Sequence, residues 1–235
     1  MALVFLLPLV AGAQPAADAV VPAQEVDFAF VKAQLTFPAK PEVTLIDTRG
    51  ANSGFDAGHI PGAINVPNDG LADALPRDRK QLLVFYCEDA QRDSSRQAAA
   101  RATELGYSNS RTYVGGFADW LKNGGQAAVS AAYIERLKKE RAPHVLIDAR
   151  PTRTAAKGMI PDAINIPDAE FDKQVGKLPS NKTARLIFYC GGLDCPQSSS
   201  AAEKARKLGY TNVLTYPEGY PEWKELHESG QPAVK

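Results

Sequence analysis

Sulfur is the element with the most chemistry to offer in this chain. Cys87 stands alone in the first half, and Cys190 and Cys195 lie five residues apart in the second. Three cysteines are too few and too clustered for a disulfide scaffold, and their odd number leaves at least one thiol without an intrachain partner. Two close cysteines without matched His or Cys partners fall short of four zinc ligands, so neither a metal nor a cofactor is expected. Thiol chemistry remains.

The residues around each thiol indicate what must hold it. Leu82 to Tyr86 and Leu186 to Tyr189 are apolar runs ending at Cys87 and Cys190. Val43 to Ile46 and Val145 to Ile147 are similar runs ending in Asp47 and Asp148. Continuous runs of this length suit strands covered on both faces, as in a parallel sheet. After each cysteine a loop leads into a helical pattern, Ala98, Ala99, Ala102 and Leu105 in one copy and Ala201, Ala202, Ala205 and Leu208 in the other. Ser94 or Ser95, and Ser198 or Ser199, are the expected N-caps. Gly106 and Gly209 fall where a left-handed residue closes a helix.

A cysteine at the carboxyl end of a strand, just before a helix, stands at the usual ligand position of an open parallel sheet. Loop N–H groups and the helix N-terminus favour negative charge there. Such a site draws a thiol pKa from about 8.5 towards roughly 3.5–7.5 and makes a thiolate nucleophile beside an anion cradle. The alternative is a buried, inert thiol at each strand end. Its recurrence in both halves favours function.

That recurrence is a tandem duplication. Leu45-Ile46-Asp47-Thr48-Arg49 matches Leu146-Ile147-Asp148-Ala149-Arg150, an offset of 148 − 47 = 101. Gly58-His59-Ile60-Pro61 matches Gly158-Met159-Ile160-Pro161 at an offset of 158 − 58 = 100. From Cys87 and Cys190 through Gly116 and Gly219 to Trp120 and Trp223 the offset stays at 190 − 87 = 103. The domains are expected over 35–125 and 135–235, with 126–134 as linker at the small, polar stretch that runs from about Asn123 to Ala131.

Composition bounds the rest. With 235 residues the chain is right for two domains. Lys plus Arg and Asp plus Glu each total 27, so nothing in the net charge calls for nucleic acid or an anionic membrane as partner. No apolar run reaches the roughly 18 residues of a membrane span. Residues 1–13, an apolar stretch ending in Ala11-Gly12-Ala13, read as a signal peptide that lacks its positive n-region, since no Lys or Arg precedes Lys32. A periplasmic or secreted protein is expected.

These residues resemble the rhodanese family of sulfurtransferases. Phe55-Asp56-Ala57-Gly58-His59-Ile60-Pro61-Gly62-Ala63-Ile64-Asn65 is similar to the family's first signature. Tyr113-Val114-Gly115-Gly116-Phe117-Ala118-Asp119-Trp120 and Tyr216-Pro217-Glu218-Gly219-Tyr220-Pro221-Glu222-Trp223 resemble its second. The resemblance implies an α/β fold of two tandem domains, each a parallel sheet of about five strands flanked by helices. It also implies that a thiolate takes sulfane sulfur from a donor such as thiosulfate, holds it as a persulfide, and passes it to a thiophilic acceptor. Cys87 and Cys190 occupy the family's nucleophile position. The partners implied are a small sulfur-containing anion or thiol and, as an option, a protein that accepts sulfur.

The loops depart from the family's simplest pattern. Ser95 follows Cys87, and Ser198 follows Cys190, by eight residues, a longer cradle than in the simplest members. Glu88, Asp89 and Asp93 put three carboxylates beside Cys87, offset in part by Arg92, which is expected to repel an anion and raise that thiol's pKa. Gly191, Gly192, Leu193 and Asp194 bring one carboxylate, and two glycines whose N–H groups can turn towards an anion. Cys190 is therefore the expected principal nucleophile. Cys195 is read either as a redox or resolving thiol, or as an inert or structural one. His59 is read as structural, because Met159 replaces it in the second copy. Two further readings stay open: a thiol-disulfide or polysulfide-handling protein working through Cys190 and Cys195, and a non-catalytic binding module.

Overall fold

The computed structural model describes residues 23–228; the leader expected over 1–13 lies outside them. The first half runs β1 (Gln24–Val26), α1 (Phe28–Gln34), β2 (Val43–Asp47), β3 (Ile64–Asn65), α2 (Leu71–Ala74), β4 (Leu82–Tyr86), α3 (Ser94–Glu104), β5 (Ser110–Tyr113) and α4 (Gly116–Lys122). The second half runs β6 (Ala127–Ala128), α5 (Ala131–Lys139), β7 (Val145–Asp148), β8 (Ile164–Asn165), α6 and α7 (Thr152–Ala155 before β8 and Phe171–Gln174 after it), β9 (Leu186–Tyr189), α8 (Gln197–Lys207), β10 (Val213–Tyr216) and α9 (Gly219–Glu228). The strands form two five-stranded sheets, ordered β1-β5-β4-β2-β3 and β6-β10-β9-β7-β8. Every pairing within them is parallel.

The central strands are apolar throughout because both faces are covered. Leu83 and Phe85 of β4 pack on Ala98, Ala99 and Ala102 of α3. Val84 and Tyr86 point the other way, into a cluster with Val31 of α1 and Phe117 and Trp120 of α4. In the second sheet Leu186 and Phe188 meet Ala201, Ala202 and Ala205 of α8, and Ile187 and Tyr189 meet Ile134 and Leu137 of α5. Alanines on the inner faces of α3 and α8 carry these helices close to the sheet. Each N-terminus therefore sits beside the cysteine that ends β4 or β9.

The changes of offset have visible causes. Between Asp47 and Gly58 the first copy has one residue more, and it makes a wide helical turn over Ala51–Phe55 where the second makes the tighter α6. Before Cys190 the second copy gains three residues, and there the chain adds a short turn over Val175–Lys177.

The stretch 126–134 is not a free linker. Ala127 and Ala128 pair with Leu214 and Thr215 of β10, and Ser130 caps α5 by accepting the Tyr133 N–H at 3.2 Å. The first copy does the same one offset earlier (127 − 24 = 103): β1 pairs with β5, and Asp27 caps α1 through the Phe30 N–H at 2.8 Å. Backbone pairing asks nothing of side-chain polarity, so small residues that read as linker form an edge strand.

The two halves are joined at this strand. His59 and Ala128 exchange backbone hydrogen bonds of 2.9 and 2.8 Å, and Ser130 Oγ donates to Asp56 Oδ1 at 2.7 Å. Gln126 reaches the Ser199 carbonyl at 3.1 Å, and the Ala39 N–H donates to Asp194 Oδ1 at 3.1 Å. His59 lies inside this junction, stacked on Phe55, with Nδ1 2.8 Å from the Phe55 carbonyl. A carbonyl only accepts, so Nδ1 carries the proton, and the buried Nε2 has no partner.

Burial lowers the His59 pKa from 6.5 to about 4. The unfolded chain then binds the extra proton first, so stability falls as pH drops from about 6.5 towards 4. The expected loss is about 3 kcal/mol at pH 4. Urea unfolding across this range checks it, and His59→Gln should flatten that part of the profile.

Candidate thiol site

Both principal cysteines sit where a strand hands over to a helix, and both are buried. Cys87 Sγ lies 3.4 Å from the Asp89 carbonyl, the Arg92 carbonyl and Ser95 Oγ. Cys190 Sγ lies 3.1 Å from the Cys195 carbonyl and 3.3 Å from Ser198 Oγ. Ser95 and Ser198 are thus turned onto the thiols rather than capping the helices. The N-cap positions are Asp93 and Pro196, and neither makes a side-chain cap bond. The first-turn N–H groups of α3 and α8 are left without a side-chain cap on the side of the sulfur, where the helix dipole favours an anion.

Behind each thiol an aspartate at the end of the neighbouring strand grips an arginine. Arg49 binds Asp47 through Nε and Nη2 and donates to the Gly58 carbonyl; Arg150 binds Asp148 and the Gly158 carbonyl likewise. The last guanidinium nitrogen separates the copies. Arg49 Nη1 is taken by Glu88 at 2.7 Å. The counterpart of Glu88 is Gly191 (88 + 103 = 191), and Arg150 Nη1 has no protein acceptor among the described residues. The carboxylates expected to repel an anion in the first loop are themselves occupied: Glu88 by Arg49, Asp89 by the Gln91 N–H, Asp93 by Arg96. Arg92 gives the thiol its carbonyl, and its exposed side chain makes no ion pair among the described residues.

Cys195 occupies the place of Arg92 (92 + 103 = 195). Its carbonyl lies 3.1 Å from Cys190 Sγ, and the two thiols interact electrostatically. Cys190, fully buried, keeps the proton: its pKa is raised first by donating to Cys195 and then by burial. Cys195 is drawn down to about 6, first by that donated proton and then by the N–H groups of Gly191 and Gln197, with Arg150 adding positive potential. The two thiols are thus pushed apart, Cys195 towards the thiolate and Cys190 towards the thiol. Gly191 supplies an N–H to this sulfur, and Gly192, at φ +116°, turns its carbonyl to the Cys195 N–H at 3.0 Å. Leu193 is exposed, and Asp194 is spent on the Ala39 tether.

Gly116 and Gly219, from the second-signature segments, close over the loops. At Gly219 (φ +66°) an added Cβ would be driven into the Cys190 carbonyl, which itself accepts the Tyr220 N–H at 3.0 Å. Gly219→Ala is expected to cost about 2–4 kcal/mol from left-handed strain and the backbone clash. Thermal unfolding of the variant checks this, and Gly176→Ala, at a glycine with open space around it, serves as the control.

Cys195 also lines a cleft of about 530 Å³ between the domains, walled by α1, the 35–40 strap and Trp120 of the first domain and by Gly192, Leu193 and Ser198 of the second. Neither Cys87 nor Cys190 lines it, but Ser198, whose hydroxyl lies 3.3 Å from Cys190 Sγ, does. Sequence reasoning missed this cleft and the part of Arg150 that faces Cys195. The serine at the same distance from each cysteine was legible as a pattern, but its cap role was misassigned.

The chain is similar to known proteins in both halves. The family model of the rhodanese-like domain matches residues 33–123 and 130–226. Thiosulfate:glutathione sulfurtransferase of Saccharomyces cerevisiae is 35% identical over 99 residues, covering 36% of this chain and 69% of that protein. The Homo sapiens protein of the same name is 32% identical over 99 residues, 36% of this chain and 84% of that one. Among solved structures, thiosulfate sulfurtransferase from Pseudomonas aeruginosa is 22% identical with a TM-score of 0.38, covering 89% of this chain and 43% of that one.

Proposed function

From the premise that this chain belongs to the rhodanese-like family, twice over, we propose that it is a sulfurtransferase carrying sulfane sulfur on Cys190. Two of the relatives it matches are named for moving sulfur from thiosulfate to glutathione. The observation that carries the proposal is the thiol pair in the second loop, held between an uncapped α8 and the open side of Arg150.

Each step is redox-neutral. The Cys195 thiolate takes the Cys190 proton. Cys190 Sγ attacks the outer sulfur of thiosulfate, the S–S bond breaks, and sulfite leaves with the electron pair. The resulting persulfide anion is held by loop N–H groups and the α8 terminus. An acceptor thiolate then attacks the outer sulfur, and Cys190 leaves as thiolate. The open loop N–H groups and Arg150 Nη1 suit thiosulfate as the donor, and the apolar Met1–Ala13 stretch supports placing the chemistry in the periplasm or outside the cell.

Intact mass after incubation with thiosulfate tests the reading: one added sulfur per chain, removed by cyanide or a thiol, is expected. A second reading is favoured by the same thiol contact, namely reversible closure of Cys190 and Cys195 to a disulfide. It predicts loss of two hydrogens with oxidant and no sulfur adduct.

A further inference from the structure

The cleft in front of Cys195 is too large and too apolar for the donor alone. Its volume, about 530 Å³, lies in the range that holds whole organic ligands, whereas thiosulfate has five heavy atoms. Phe28, Leu35 and Trp120 face it from the first domain and Leu193 from the second. Leu193 is 45% exposed, so this wall lacks an apolar cover. An apolar surface on both sides of a reactive sulfur calls for an apolar body between them.

The cations that line the cleft, Lys32 and Lys40, stand together on the first-domain side, across from Glu203 and Cys195. Lys32 has no carboxylate partner among the described residues and lies 5.5 Å above the Phe28 ring. Among the described residues Lys40 donates only to neutral acceptors, the Ala33 carbonyl at 2.9 Å and Gln34 Oε1 at 3.4 Å. Glu203, the carboxylate among the described lining residues, faces Lys207 at 4.0 Å. The two lysines come from the first domain and the thiols from the second, and the Ala39–Asp194 bond fixes the strap that carries Lys40 against the thiol loop.

We propose that this cleft is the acceptor site, and that it selects an organic thiol with an apolar body and a carboxylate, the carboxylate held by Lys32 and Lys40. The first domain then acts as the specificity wall of the second. This rests on the sulfur-transfer reading for its chemistry. The bound thiolate attacks the outer persulfide sulfur, the bond to Cys190 Sγ breaks, and an organic persulfide leaves while Cys190 is restored as thiolate.

Binding is tested apart from sulfur transfer. The probe is the thioether 2-(methylthio)-3-phenylpropanoate, which cannot accept sulfur, followed by the fluorescence of Trp120 in a Trp223→Phe background. Saturable binding is expected, at least about tenfold tighter than for the corresponding neutral amide, as one charge-assisted contact gives. That preference should collapse to near unity in Lys32→Gln/Lys40→Gln. Equal binding of acid and amide, an unchanged preference in the double variant, or no binding would each overturn the proposal. If the probe binds as expected while thiosulfate leaves no sulfur on the protein, it is the sulfurtransferase reading that fails and not the site.

Discussion

Cys190→Ser should abolish the thiosulfate-derived sulfur adduct and lower sulfur transfer at least about a thousandfold, the scale on which a covalent nucleophile is missed. Cys87→Ser should keep the adduct and most of the rate. Both thiols are buried at strand ends beside serine hydroxyls, so burial does not separate them. Their surroundings do. In the first loop Glu88 sits on Arg49, while the two carbonyls beside each thiol are common to both copies. A sulfur anion in the first loop finds its guanidinium already paired. In the second loop Gly191 leaves Arg150 Nη1 open, and Cys195 stands ready to take the proton. Cys195→Ser discriminates further: it should slow adduct formation by removing the base while leaving an adduct on Cys190. An adduct that survives Cys190→Ser and is lost with Cys87→Ser would reverse the assignment. Absence of any adduct, with Cys195→Ser abolishing oxidation by two hydrogens, would favour the disulfide reading.

Arg150→Met should have the largest effect on stability, about 3–5 kcal/mol, readable by urea unfolding. Asp148 is wholly buried and meets Arg150 through both carboxylate oxygens at 2.5 to 3.1 Å. Removing one partner of a buried pair leaves the other charge uncompensated, which costs far more than the pair's net contribution. The same change should move the thiolate titration. In the intact protein one thiolate per chain, seen by its ultraviolet absorbance, should form around pH 6. Without the guanidinium's positive potential the midpoint should rise. A variant that unfolds more easily with an unmoved midpoint would confine Arg150 to a structural role. Asp148→Asn with Arg150→Met, which removes both charges, should recover part of the stability but not the titration.

Much of this was legible in the residues, for identifiable reasons. Runs ending in Asp47, Cys87, Asp148 and Cys190, apolar but for Thr44, announce buried parallel strands, and two copies of each remove the ambiguity of a short run. Ala98, Ala99 and Ala102 show which face of their helix meets the sheet, and Gly106 and Gly209 do take left-handed values of +91° and +87°. What escaped was set by backbone and by distance in the chain. Ala127 and Ala128 read as linker because an edge strand is defined by hydrogen bonds that side chains do not encode. The helix starts escaped because Ser95 and Ser198 satisfy a cap pattern while spending their hydroxyls on sulfur. Lys32 and Lys40 drew no attention because only the packing of the two domains carries them to Cys195.

The junction around Ala128 has a further consequence for the energetics of binding. Two backbone hydrogen bonds to His59, the Ser130–Asp56 contact and the Ala39–Asp194 bond fix the two domains against each other before anything enters between them. A cleft formed by hinged halves charges each ligand for the motion it freezes, whereas one whose walls are already bonded has met that entropy during folding. Acceptors should therefore enter by diffusion into a preorganised slot, and discrimination among them should rest on fit and charge rather than on closure.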